Sequence, residues 1–244
     1  TFVAVGASVN ISRSTDNGSS WDNATSRTGS SLWGVVFGNN TFVAVGGSVN
    51  ISRSTDNGLS WDNVTHAGTS LGAGDVTFGN NTFVAVGYSG SIVRSTDNGS
   101  SFDNVTSGTN QNLFGVTFAN NTFVAVGVDG NIVRSTDNGS NWNNATDPTS
   151  STIWGVGFGN NTFVAVGASG NIVRSTDNGS SFDNVTSGTS QSLRGVAFTG
   201  NWQLIARQAD ITAQSFNSNA RNTYLEHEDN SSSSTFMSIG NLTP

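Results

Sequence analysis

An all-β fold is what this sequence predicts, specifically a six-bladed β-propeller of four-stranded antiparallel blades, and three observations predict it. The hexapeptide Thr-Phe-Val-Ala-Val-Gly begins at Thr1, Thr41, Thr82, Thr122 and Thr162, a spacing of 40 or 41 residues, and a worn copy starts at Trp202. A period of this size marks stacked supersecondary units that cannot bury their faces alone. Each unit holds four strand-length segments separated by turn signals, and no stretch shows helical periodicity. Four strands per forty residues is the arithmetic of a propeller blade.

The unit from Ile153 to Thr186 shows the elements in order. Its strands are expected at Trp154–Phe158, Phe163–Val166, Ile172–Ser175 and Ser181–Val185. Gly159-Asn160-Asn161, Gly167-Ala168-Ser169-Gly170 and Asp177-Asn178-Gly179 connect them, each with residues that accept a turn. The second strand is apolar at successive positions, so both its faces should be covered, as they are between stacked sheets. Its Ala and Gly positions should leave room for a neighbouring blade to approach closely.

The ends need a separate argument, because Thr1 opens on the second strand of a unit. Ser234–Asn241 aligns with Ser31–Gly38, so a C-terminal strand joining the N-terminal blade should close the ring within one domain spanning residues 1–244. The same strand completing another subunit's blade would give a head-to-tail filament. The sixth repeat, residues 202–241, is degenerate. Gln214–Tyr224 replaces its acidic turn, and Glu226-His227-Glu228-Asp229 follows.

Composition excludes several classes. Charged residues are 10 % of the chain, well under the usual quarter or so, so Asn, Ser, Thr and Gly must build the surface. All nine basic residues are Arg, the net charge is −7, and no basic run could neutralise a row of phosphates, which excludes a nucleic-acid footprint. Without Cys there is no disulfide framework or thiolate chemistry. No apolar run approaches the length of a membrane span. The chain starts without Met or a signal peptide, which reads as a processed or excised product.

The most regular motif is Ser-Thr-Asp-Asn-Gly-x-x-Trp/Phe. Its acidic residues are Asp16, Asp56, Asp97, Asp137 and Asp177; its glycines Gly18, Gly58, Gly99, Gly139 and Gly179; its aromatics Trp21, Trp61, Phe102, Trp142 and Phe182. The chemistry is that of a turn: an Asp bonding amides ahead of it, an Asn-Gly pair accepting positive φ, and an aromatic anchoring the returning strand. This pattern resembles the Asp-box, or bacterial neuraminidase repeat, of β-propellers. The fuller unit, Phe-Val-Ala-Val-Gly-x-x-Gly-x-Ile-x-x-Ser-x-Asp-x-Gly, resembles the repeats of photosystem II assembly factor-type propellers and related secreted bacterial proteins. The resemblance implies a box between the third and fourth strands of a blade, peripheral and away from the central site. Sialidases of that fold add three Arg from different blades, a Tyr/Glu pair and an acidic Asp. This chain departs from them, with only Tyr88, Tyr224, Glu226 and Glu228 of those types and one Arg column, Arg13, Arg53, Arg94, Arg134 and Arg174, just before the box. A residue copied into every unit reads as a structural ion-pair or turn-bonding group.

Candidate chemistry is thin. Glu226 and Glu228 form the one carboxylate pair outside the repeats and read as a solvated turn, while His227 and His66 lack partners for a metal site. No catalytic residue, cofactor or metal is therefore expected. Asn-x-Ser/Thr sequons recur in columns. Asn23, Asn63, Asn104, Asn144 and Asn184 lie on the outermost strand, and Asn39, Asn80, Asn120 and Asn160 lie in the first hairpin. Asn17, Asn98, Asn138 and Asn178 lie in the acidic turn, with Asn10 and Asn50 in the first two units. The outermost column is the preferred glycosylation candidate. The sequence thus points to a non-catalytic extracellular structural or adhesive propeller that self-associates and carries glycans. A carbohydrate-binding or glycosidase-like propeller, and a protein-binding assembly factor, stand as alternatives.

Overall fold

The computed structural model describes residues 1–7, 10–24, 31–47, 51–64, 71–72 and 74–198, together with the backbone of two later strands. It divides into two units, Thr1–Phe198 and Thr199–Pro244.

The first unit is a series of antiparallel sheets following one another along the chain. The opening sheet has three strands, β1 (Phe2–Val5), β2 (Ile11–Ser14) and β3 (Asp22–Asn23). Four-stranded sheets follow: β4 (Leu32–Gly38), β5 (Thr41–Gly46), β6 (Ile51–Ser54) and β7 (Asp62–Val64); then β8 (Asp75–Gly79), β9 (Thr82–Val86), β10 (Ile92–Ser95) and β11 (Asp103–Val105). The last two are β12 (Leu113–Ala119), β13 (Thr122–Gly127), β14 (Ile132–Ser135) and β15 (Asn143–Asn144); then β16 (Ile153–Gly159), β17 (Thr162–Gly167), β18 (Ile172–Ser175) and β19 (Asp183–Val185). The strands expected at 154–158, 163–166, 172–175 and 181–185 are all found, shifted by at most two residues.

The turns follow from residue chemistry. Asn39 and Asn40 both take positive φ, 47° and 55°, as a two-residue hairpin between Gly38 and Thr41 demands, and Asn-Asn repeats this at the three later hairpins. In the last three sheets the second-to-third connection is a single 3-10 turn, such as Val128–Gly130, whose middle residue Asp129 has φ 55°.

The core lies between sheets. One cluster joins Val84, Val86 and Ile92 of one sheet to Leu113, Val116, Phe123 and Trp142 of the next. Phe of the first strand packs on Phe of the second in four sheets, with ring centroids 4.5–4.7 Å apart. β5, β9 and β13 are buried at every position, as the unbroken apolar run requires. β1, at the end of the series, is half-exposed instead.

The close approaches correct one expectation. A Cβ on Gly127, at the end of β13, would stand 1.9 Å from the Asn112 carbonyl oxygen, which belongs to the segment entering β12 of the same sheet. It is the first strand's Gly79 that admits the neighbouring sheet, through the ring of Phe118.

The ring closure expected from the sequence is not formed: the sheets are not closed. In the second unit β20 (Thr223–His227) pairs with β21 (Thr235–Ile239), with Glu226 opposite Phe236. The C-terminal strand therefore takes a hairpin partner close in sequence, at low entropic cost. Glu226 and His227 lie on a strand and not in the solvated turn expected for them. The worn unit from Trp202, the turn replacement Gln214–Asn222, Glu228, Asn50 and His66 fall outside the described residues. The six-blade count is thus not established.

Candidate functional site

The acidic turns are built as their residues suggest. In the fourth sheet Ser135 Oγ donates to Asp137 Oδ1 at 2.9 Å and accepts from the Gly139 amide at 2.9 Å. Asp137 accepts from the Asn141 backbone amide at 2.9 Å, Asn138 and Gly139 take φ 63° and 77°, and Trp142 Nε1 donates to the Gly139 carbonyl at 3.1 Å. The Asn141 side-chain amide and then its backbone amide hold the Asp137 carboxyl down at about 2, and Asp177 sits at about 2, led by the Ser181 hydroxyl. At Asp56 and Asp97 burial is the largest single influence and raises the carboxyl. The combined bonds from Ser60, or from Ser101, outweigh it, and both also reach about 2.

The sequence did not disclose that these turns hold neighbouring sheets together. Arg94 Nε donates to the Asn138 carbonyl at 2.6 Å, and Asn138 Nδ2 donates to Thr82 Oγ1 at 2.6 Å, so one Asn clamps two residues of the preceding sheet. The same pair of bonds joins Arg13 and Thr1 to Asn57, Arg53 and Thr41 to Asn98, and Arg134 and Thr122 to Asn178. The Arg column is turn-bonding, across sheets. The bonds also remove Asn98, Asn138 and Asn178 from the sequons with a free side-chain amide. In the outermost column Asn23, Asn63, Asn104, Asn144 and Asn184 are all exposed; in the hairpins Asn39, Asn80 and Asn160 are exposed and Asn120 is half-buried.

Alternating strand direction puts acidic turns and first hairpins at one end of each four-stranded sheet. The 3-10 turns and the entries to the first strands lie at the other. At that second end the repeat is broken. The ladder skips Trp33, Phe114 and Trp154 at a bulge in β4, β12 and β16. Phe114 stacks on Trp154 at 4.8 Å, and the Arg194 guanidinium covers the Trp154 ring at 4.3 Å. Trp33 stands 6.2 Å from Tyr88, a residue of the 3-10 turn, and both rings are exposed.

Beside this rim stands Asp75. Its pairing with Val86 matches that of Gly34 with Val45, Gly115 with Val126 and Gly155 with Val166, so one carboxylate occupies a position that is Gly in the other sheets. Asp75 accepts the Val76 amide at 2.8 Å and, from the next sheet, the Val116 amide at 3.1 Å. Burial nevertheless pushes it up to about 6. The sequence signal was there, but one extra residue between Asp56 and Asp75 lengthens this unit and hides the alignment. Among the described residues no three His, Asp or Glu side chains converge as a metal set.

Opposite pH limbs follow. The acidic-turn carboxyls, lowered from about 4 to about 2, lend stability that is present above pH about 4 and is lost as pH falls towards 2. Asp75, raised to about 6, lends stability that is full below pH about 4 and is lost as pH rises through 6. Thermal melts across this range should peak near pH 4, and Asp75→Asn should flatten only the upper limb. An upper limb unchanged in that variant would reject the assignment.

No family model matches the chain, and no curated protein matches it. Solved structures do. Virginiamycin B lyase from Staphylococcus aureus is matched over 82 % of this chain and 74 % of its own, with TM-score 0.67 and 19 % identity. YCF48 bound to D1 peptide is matched over 76 % of this chain, with TM-score 0.60 and 19 % identity; the match spans 63 % of the YCF48 chain. The fold is that of a β-propeller. An ancestral GH74 enzyme is matched over 63 % of this chain and 24 % of its own, with TM-score 0.52 and 20 % identity. These propellers include a lyase, a glycosidase and a peptide-bound protein, so their likeness carries architecture and no activity. No helix of the described residues is long and apolar enough to cross a membrane.

Proposed function

We propose that this propeller is a non-catalytic extracellular structural or adhesive module that self-associates and carries glycans on its outermost strands. The observation that carries the reading is the Arg–Asn–Thr clamp: the repeated polar groups that would otherwise offer a multivalent site are engaged in joining blade to blade. The five box carboxylates are likewise bonded within their own turns. The exposed outermost Asn column would keep so uncharged a surface hydrated. Electron micrographs of native material should show extended assemblies. Chain from a glycosylating secretory host should lose mass on deglycosylation, and a constant mass equal to the bare 25.2 kDa would remove the glycan part of the reading.

A second reading, a ligand-binding propeller, is favoured by the rim of Trp33, Tyr88, Phe114, Trp154 and Arg194 with Asp75 beside it. Repeats that are otherwise near copies differ there, as a binding site needs. One neighbour is bound to a peptide and another is a glycoside hydrolase. Turnover of chromogenic glycosides abolished by Asp75→Asn or Glu226→Gln would replace the structural reading with an enzymatic one.

A further inference from the structure

The dipeptide that shapes the acidic turns is also a reactive one. Asn98-Gly99, Asn138-Gly139 and Asn178-Gly179 each set a side-chain amide beside a backbone nitrogen that no neighbouring Cβ shields. Attack of the Gly nitrogen on the Asn Cγ closes a five-membered succinimide. The N–Cγ bond forms, the Cγ–Nδ2 bond breaks, and Nδ2 leaves as ammonia carrying the glycine's amide proton. Water then opens either carbonyl of the ring, giving aspartate or isoaspartate. Asparagine and water become aspartate and ammonia, with no change of oxidation state.

The seated turn obstructs each step. The Gly99, Gly139 and Gly179 amides donate to Ser95, Ser135 and Ser175 Oγ at 2.9, 2.9 and 2.8 Å, so the attacking nitrogen keeps its proton engaged. Each Ser hydroxyl is itself turned to Asp97, Asp137 or Asp177, and carboxyls held at about 2 are too weak as bases to draw the proton through it. The leaving nitrogen is tied to the preceding sheet, with Nδ2 of Asn98, Asn138 and Asn178 donating to Thr41, Thr82 and Thr122 Oγ1 at 2.8, 2.6 and 2.6 Å. The Oδ1 atoms would carry the negative charge of the tetrahedral intermediate. All three are buried and accept no hydrogen bond from the described residues, so no donor steadies that charge. The Asn carbonyls, held by Arg53, Arg94 and Arg134, restrain the backbone on the same side.

We propose that Asn98, Asn138 and Asn178 are self-modification sites gated by the clamp, each inert while its turn is seated on the sheet before it and cyclising when the turn leaves that seat. The event runs one way. Its product lacks the Nδ2–H donor to Thr and brings a carboxylate to a place where the buried Oδ1 already finds no donor, which disfavours reseating. Isoaspartate also inserts a methylene into the backbone between Ser135 and Gly139, or their counterparts, and puts the bond between them out of register. The modification therefore records each separation of neighbouring sheets. It stands on the seated turns and is independent of both the structural and the ligand-binding readings.

The test reads each site separately in the full-length chain. Native protein, and the same protein in guanidinium chloride, are held at mildly alkaline pH. Peptide mapping by mass, with isoaspartyl methyltransferase labelling, gives the rate at every Asn. Native rates at Asn98, Asn138 and Asn178 should lie at least about a hundredfold below the unfolded ones, because only the opened fraction reacts. Thr82→Val keeps the shape of the residue but removes the acceptor of Asn138. It should raise the native rate at Asn138 about tenfold, the equivalent of one hydrogen bond, and leave Asn98 and Asn178 unchanged. Thr82→Ser retains the hydroxyl and should stay as slow as the parent chain. Ser135→Ala, which frees the Gly139 amide, is a second variant with the same expectation at Asn138 alone. Native rates equal to the unfolded ones in the unsubstituted chain would overturn the proposal whatever the variants do. So would an unchanged Asn138 in both variants, or an equal rise at all three sites in a variant whose urea midpoint matches the parent's.

Discussion

Trp142→Ala should cost the propeller about 3–5 kcal/mol, among the largest effects of any single truncation, read as a fall in the urea midpoint. The indole is 6 % exposed, stands 6.2 Å from the Phe123 ring and fills the cluster between two blades. Its loss leaves a cavity there and frees the Gly139 carbonyl. The same change at Trp21 should cost about 1 kcal/mol or less in dilute protein, because an exposed surface residue has little burial to lose. The motif is identical in the two places, and a blade packed in front of it makes the difference. Equal losses at Trp21 and Trp142 would show that the aromatic acts through its own turn alone.

Gly127→Ala should be as damaging, at about 3 kcal/mol or more, through collision and not through backbone strain. Its φ is −166°, which any residue adopts, but the added methyl would lie 1.9 Å from the Asn112 oxygen. That oxygen cannot retreat easily, since it accepts the Val128 amide at 2.9 Å where the chain crosses from the incoming loop to the first strand. The arrangement recurs at Gly46, Gly87 and Gly167 against Ser31, Leu71 and Thr152. Gly195→Ala, where a methyl meets nothing, is the control and should be near neutral. A Gly127→Ala variant as stable as that control would mean the entry segment can shift.

The sequence by itself determined the repeat, the four strands and their turns, the acidic one among them. These follow from local chemistry: Asn-Asn and Asn-Gly accept positive φ, Ser and Asp bond amides within four residues, and an unbroken apolar run requires cover on both faces. It also read the Arg column as a structural ion-pair or turn-bonding one, since a residue copied into each unit serves the unit, and the bonds of Arg13, Arg53, Arg94 and Arg134 to turn carbonyls select the second. What only the tertiary structure decided depends on which residues some 40 positions apart are brought together. Asn57, Asn98, Asn138 and Asn178 of the acidic turns each hold the sheet before them, a pairing that no local pattern contains. Asp75 replaces a rim glycine, which becomes visible only when its pairing with Val86 sets the register past the longer entry loop. The partner of the C-terminal strand was likewise beyond the pattern. Ser234–Asn241 matches a first strand in sequence, yet Thr235–Ile239 pairs with Thr223–His227, because any exposed strand edge offers the same amides and carbonyls and proximity selects among them.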